Sequence, residues 1–234
     1  MSFILFEFIT LLSLLVVPFQ MKQSEQVNSL MKYSIVIDPG HGGKDNGCNY
    51  GDVVEDEINL SIGKYLFEEL INNGFIVYLT RDDDYDLAYD SSENRKNDDL
   101  KNRASIINEF KADILISLHV NYYQSDDVKG PMVYCRYNDE KSKELATCIQ
   151  NNLNELSGLK KKVHSDDFYL FRKTLCLACL VECGFISNKE ERNKLTSDIY
   201  QKMMSKQIAN GIIDYLSNWW KKLKKRQQSK IFKK

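Results

Sequence analysis

Histidine is scarce in this chain, with His41, His119 and His164 the only three among 234 residues. Proline is equally rare, and with 43% apolar residues this excludes a disordered chain and fits one globular domain with appendages. No basic stripe interleaved with aromatics crosses the body, which excludes a nucleic-acid surface. Six cysteines do not make a disulfide scaffold in a chain of this size. The apolar run from Phe3 to Val17 is short for a full membrane span and is interrupted by Glu7.

That run suits the core of an export signal or an anchor over residues 1–20, although no Lys or Arg precedes it and no clear small-x-small cleavage site follows. At the other end, residues 221–234 hold eight Lys or Arg and no acid. The remaining chain then carries 24 basic against 33 acidic residues, so an acidic body ends in a basic tail. Such a tail is either a solvated extension or a patch for anionic lipid or polymer.

Between the ends, strands and helices alternate. YSIVID at 33–38 reads as a buried strand entering the Pro39-Gly40 turn, followed by His41. Ile58, Ile62, Leu66 and Leu70 recur at four-residue spacing, which predicts a helix with one buried face from Glu55 to about Asn73. FIVYLT at 75–80, DILISLH at 113–119, PMVYC at 131–135 and CLACLVE at 176–182 read as further strands. Helices are expected at 100–110, at 140–156 and from about Lys189 to Trp220, with a polar loop over 82–98. The alternation implies an α/β domain spanning 33–220, a largely parallel twisted sheet with helices on both faces. Its ligand site belongs at the carboxyl ends of the strands. His41, His119 and Glu182 all fall there.

Two histidines at strand ends, with carboxylates nearby, suit a hydrolytic zinc site of two His and one Glu that keeps a position open for water. Asp38, Asp45, Glu55 and Glu57 all lie close to His41, and spacing alone does not choose among them. Glu182 follows the apolar run LACLV, where burial would raise its pKa toward the range of a general base and acid. Cys176 and Cys179 form a C-x-x-C, but in a strand residues three apart point to opposite faces. They read as core residues rather than as a redox or metal pair.

IDPGHGGKDNG at 37–47, EDEINL at 55–60, LTR at 79–81, LKNRASIIN at 100–108, ADILISLHVN at 112–121 and LVECGFISN at 180–188 closely resemble the zinc-dependent N-acetylmuramoyl-L-alanine amidases. The resemblance covers roughly residues 33–216 and departs from the family pattern at Asp56 and Leu177. It implies zinc on His41, Glu55 and His119, and Glu182 as the catalytic carboxylate. It implies peptidoglycan as the substrate, cut at the amide between N-acetylmuramic acid and L-alanine. Asn121 and Arg172 become candidate substrate contacts, and His164 matches no ligand position and reads as a residue of a polar loop before the last strand.

With an apolar start and no wall-binding repeats, the layout looks most like the sporulation members of the family. That implies export to the space between the membranes around the forespore, and a role in muramic-δ-lactam formation in spore cortex. It also implies an accessory sporulation protein or lipoprotein that dimerises the chain or loads its metal. A vegetative autolysin and a non-catalytic peptidoglycan-binding protein are the competing readings.

Overall fold

The computed structural model describes residues 33–231, so the expected export segment over 1–20 lies outside the described residues. Six strands form one sheet: β1 (Ser34–Pro39), β4 (Ile76–Leu79), β5 (Ile114–Asn121), β6 (Met132–Arg136), β7 (His164–Asp166) and β8 (Leu177–Phe185). Their spatial order is β4-β1-β5-β8-β6-β7. β4, β1, β5 and β8 are mutually parallel, while β6 runs antiparallel to β8 and parallel to β7. Two short strands, β2 (Asn49–Tyr50) and β3 (Val53–Val54), make a separate hairpin.

The central strands are apolar on both faces because helices cover both, and their alternating side chains divide into two cores. Ile35, Ile37, Ile114, Ile116, Cys179 and Val181 join the larger one. Val36, Leu115, Ala178 and Leu180 join the smaller one on the opposite face. Cys176 belongs to the smaller core and Cys179 to the larger, as strand alternation requires.

The larger core is closed by α1 (Glu55–Asn72), α3 (Glu140–Ser157) and α6 (Asp198–Ile231), and the smaller by α2 (Arg95–Glu109) and α4 (Tyr169–Lys173). In α1 the stripe Ile58, Ile62, Leu66 and Leu70 is buried. No side chain caps this helix, and its first turn instead places Glu55, Asp56 and Glu57 at the positive end of the dipole. Helix α3 is capped by Asp139, which accepts from the Lys141 and Ser142 amides, and ends at Gly158 in the left-handed region.

Three expectations need correction. Helix α2 begins at Arg95 rather than near Leu100, because Asn94 accepts from the Asn97 amide and starts a polar first turn that apolar periodicity cannot register. The expected last helix is two: α5 (Lys189–Leu195) ends at Thr196, and α6 then runs past Trp220 to Ile231. The tail through Ile231 is therefore helical. His164, expected in a loop, opens the edge strand β7. No described helix is long and apolar enough to cross a membrane.

Helices α3 and α6 approach closely at Gly211, where a Cβ would lie 2.5 Å from Cα and 2.8 Å from N of Ile149. Those atoms are backbone and cannot swing aside. Gly211→Ala should therefore destabilise the domain by about 1–3 kcal/mol, overriding a helix-propensity gain of about 1 kcal/mol. Urea unfolding measures this, and an unchanged or raised midpoint would contradict the close packing.

Candidate metal centre

The loop after β1 turns so tightly that His41 takes a φ of 62°, in the left-handed region that non-glycine residues rarely occupy. Two buried arginines hold it there. The Arg103 guanidinium donates to the Pro39 carbonyl at 2.8 Å and the His41 carbonyl at 2.6 Å. Arg81 donates to the Pro39, Gly40 and Asp56 carbonyls at 2.9, 3.1 and 2.8 Å. Arg103 is itself neutralised by Asp38 at 2.8 Å and Asp99 at 2.7 Å. Asp38 is fully buried, which opposes its charge, but Arg103 and the Thr80 and Ser117 hydroxyls outweigh burial and hold its carboxyl below the usual range.

Glu55, at the head of α1, points into this loop. Its Oε1 lies 3.3 Å from His41 Nε2 and 3.0 Å from His119 Nδ1, and accepts from the Val120 amide at 3.1 Å. Its Oε2 accepts from the Cys48 amide at 2.8 Å. Asn59, one turn along α1, bridges Glu55 and the Gly40 carbonyl. Burial raises the Glu55 pKa, but the two imidazoles overcome it and hold the carboxyl well below the ordinary range.

Ligand atoms of His41, Glu55 and His119 lie within 4.8 Å of one another, a set that could hold a metal ion. Nδ1 of His41 is 2.9 Å from Asp45, which fixes the ring and leaves Nε2 toward the cluster. Burial opposes a charge on His41, but Glu55 and then Asp45 outweigh it and raise the pKa to about 9. The space is kept by glycines: a Cβ at Gly40 would run into the His119 ring, and one at Gly47 into Glu55 and His41.

Glu182 sits beside His119 in the parallel β5–β8 register, so both side chains leave the same face of the sheet. Its Oε2 is buried without a hydrogen-bond partner. Burial, with the Glu55 charge, outweighs the two imidazoles and raises its pKa to about 7. A carboxylate poised there can take and return a proton near neutral pH. The strand does not end at Glu182 as expected but runs on to Phe185, after a register shift between His119 and Asn121.

Of the four carboxylates near His41 in sequence, only Glu55 joins both imidazoles. Asp45 orients His41, Asp38 is taken by Arg103, and Glu57 faces solvent. Asn121 ends β5, where its carbonyl accepts from the Ile186 amide. Arg172 is exposed on α4 and paired with Asp167 at 3.3 Å. His164 is exposed beside Tyr134. Arg81 and Arg103 had no role in the sequence reading. Their signal was an arginine inside each of two motifs, LTR and LKNRASIIN.

Residues 35–214 match the family model described as N-acetylmuramoyl-L-alanine amidase. The germination-specific N-acetylmuramoyl-L-alanine amidase of Bacillus subtilis is 31% identical over 190 residues, spanning 78% of this chain and 79% of that protein. The CwlD amidase from Clostridioides difficile, solved in complex with the GerS lipoprotein, superposes with a TM-score of 0.77 at 34% identity, over 80% of this chain and 99% of that one. An N-acetylmuramoyl-L-alanine amidase from Clostridium difficile 630 superposes with a TM-score of 0.70 at 30% identity, over 79% and 97%.

Removing the Arg103 cation would strand the Asp38 carboxylate in the core and free the His41 loop. Arg103→Met should lower unfolding free energy by about 3–5 kcal/mol in chemical denaturation. A loss below about 1 kcal/mol would contradict the buried ion pair described above.

Proposed function

The chain belongs to the N-acetylmuramoyl-L-alanine amidase family and is a peptidoglycan amidase, and from that premise we propose that it works with one zinc ion held by His41, Glu55 and His119, with Glu182 as the catalytic carboxylate. The observation that carries this reading is the convergence of two imidazoles and a buried carboxylate beside an unpartnered acid held near neutrality. A set of two nitrogens and one oxygen is a usual hydrolytic zinc set, and the glycine-lined space around it fits an ion.

Bound there, zinc supplies a positive charge that polarises the scissile carbonyl and makes an attacking water acidic near neutral pH. Glu182 does the proton work. Its carboxylate accepts a proton from the water as the new C–O bond forms at the lactyl carbonyl carbon. It then gives that proton to the nitrogen of L-alanine as the C–N bond breaks, leaving a peptide with a free amino end and a lactyl carboxylic acid whose remaining proton passes to that amine or to solvent. Asp45 holds His41 in the required tautomer, and Asn59 keeps Glu55 against the loop. Asn121 at the end of β5 is the substrate contact of this reading, whereas Arg172, on α4 ahead of the amino end of β8, lies toward the opposite pole.

The biological setting is spore cortex, where removal of the stem peptide precedes muramic-δ-lactam formation. Likeness to a germination-specific amidase supports this, and the lipoprotein in the CwlD complex supports a lipoprotein partner for this chain, whether for dimerisation or metal loading. The apolar run at 3–17 supports export, with residues 1–20 as signal or anchor and the forespore intermembrane space as the destination.

Glu182→Gln should retain stoichiometric zinc while release of free L-alanine amino groups from purified peptidoglycan falls about 10²–10⁴-fold. His41→Ala and His119→Ala should lose zinc and activity together. Near-normal turnover in Glu182→Gln, or full zinc content after both histidine changes, would overturn the assignment.

A further inference from the structure

The basic stretch that ends α6 lies at the pole of the molecule opposite the metal centre. Tyr33 and Leu177, at the amino ends of β1 and β8, line one groove with Asp113, Tyr215 and Trp219. Because β4, β1, β5 and β8 are parallel, all their amino ends share this pole, while His41, His119 and Glu182 lie toward the other. Strands of six to nine residues, at about 3.3 Å per residue, put roughly 20–30 Å between the two edges.

From Trp219 the helix continues to Ile231, roughly 18 Å of further rise. Lys221, Lys222, Lys224, Lys225 and Arg226 are all exposed on it, with no acid between them. Lys222 is tied to Glu144 of α3 at 2.9 Å, which joins the extension to the body. Trp220 is 44% exposed, with Lys224 lying 5.4 Å over its ring. An aromatic ring with an apolar body and a polar edge, beside lysines whose stems are apolar, is the composition that settles at a bilayer interface.

Charge differs between the two poles, although Glu140 and Glu144 line the groove beside Lys221, Lys222 and Lys225. Residues 82–99 carry eight acids against Arg95 and Lys96. This loop lies against the metal-site loop, where Asp84 accepts from the Gly43 amide at 2.6 Å. Near an anionic surface an acidic catalytic edge is repelled and a basic opposite pole is attracted, so the field itself orients the molecule. The chain also enters the described structure at this basic pole, through Tyr33, with residues 18–32 between it and the apolar run at 3–17.

We propose that the exposed basic end of α6, with Trp220, is a docking surface for an anionic lipid bilayer, holding the domain by the pole opposite its metal centre so that the catalytic edge faces away from the membrane. Each lysine near such a surface adds attraction that decays within a Debye length, and several together act over the same patch. The surface operates whatever chemistry the metal centre performs.

The test uses the purified full chain and sedimentation with vesicles of phosphatidylcholine alone or phosphatidylcholine with phosphatidylglycerol. The wild type should bind the phosphatidylglycerol vesicles at least tenfold more tightly, and raising salt from about 0.05 to about 0.5 M should remove that preference. The combined variant K221Q/K222Q/K224Q/K225Q should lose the preference while keeping its thermal midpoint and its turnover of soluble muropeptides. Any affinity contributed by the apolar run is the same in both proteins and cancels. Equal wild-type binding to the two vesicle types, a preference that survives the four substitutions, or a preference insensitive to salt would overturn the proposal. So would a larger loss of binding to isolated peptidoglycan than to vesicles, which would assign the patch to the wall polymer. If the variant does not fold, the wild-type lipid and salt comparisons decide alone.

Discussion

The carboxylate of Glu55 is buried at the head of a helix and shared by two imidazoles that arrive from different strands. Taking such a charge out of water costs several kcal/mol unless it is fully partnered. The protein partners it with five groups: His41 from the loop after β1, His119 and the Val120 amide from β5, the Cys48 amide, and the Asn59 side chain one turn along α1. Remove any of these segments and the helix N-terminus keeps an unbalanced charge. The hairpin, the first loop and the central strand are thus held in one arrangement by one side chain.

That arrangement also carries strain. A histidine at φ 62° costs about 1–2 kcal/mol relative to an extended one, and a loop left to itself would relax. It cannot relax here because Arg81 and Arg103 occupy the carbonyls of Pro39, Gly40 and His41. The two guanidiniums are buried side by side, and Asp38 and Asp99 neutralise Arg103. The result is a hydrogen-bonded floor beneath the cluster of His41, Glu55 and His119. Preorganisation of this kind lets the site hold its geometry without reordering side chains during the reaction.

What could be read in the sequence divides along physical lines. The strands at 33–38, 113–119 and 176–182 were legible because a sheet covered on both faces demands unbroken apolar runs. Helix α1 was legible from the four-residue stripe beginning at Ile58. Glu182 stood out because a charge directly after LACLV needs a reason. The start of α2 at Arg95 was hidden, since a polar turn held by an Asn94 cap leaves no apolar trace. The break between α5 and α6 was hidden for a related reason: it lies in a polar stretch, where Thr196 closes one helix and the next begins two residues later. His164 joins the sheet only through pairing with Tyr134, a contact no local pattern encodes. The choice of Glu55 over Asp45 and Asp38 likewise depended on contacts across the fold. Asp45 and Asp38 both serve the site, one through His41 and the other through Arg103.

A domain with its acidic edge around the reaction site and its basic end at the opposite pole has a built-in orientation. On the proposed docking, chemistry and placement are separable, with placement in the last turns of α6 and chemistry in the loops above the sheet. The proposed reaction depends most heavily on where the metal sits. Crystals of the zinc-loaded protein, measured at energies on either side of the zinc absorption edge, test it directly. One strong anomalous peak per chain is expected among His41, Glu55 and His119, within reach of Glu182. A peak at any other residues, or none at this cluster under full zinc loading, would contradict it.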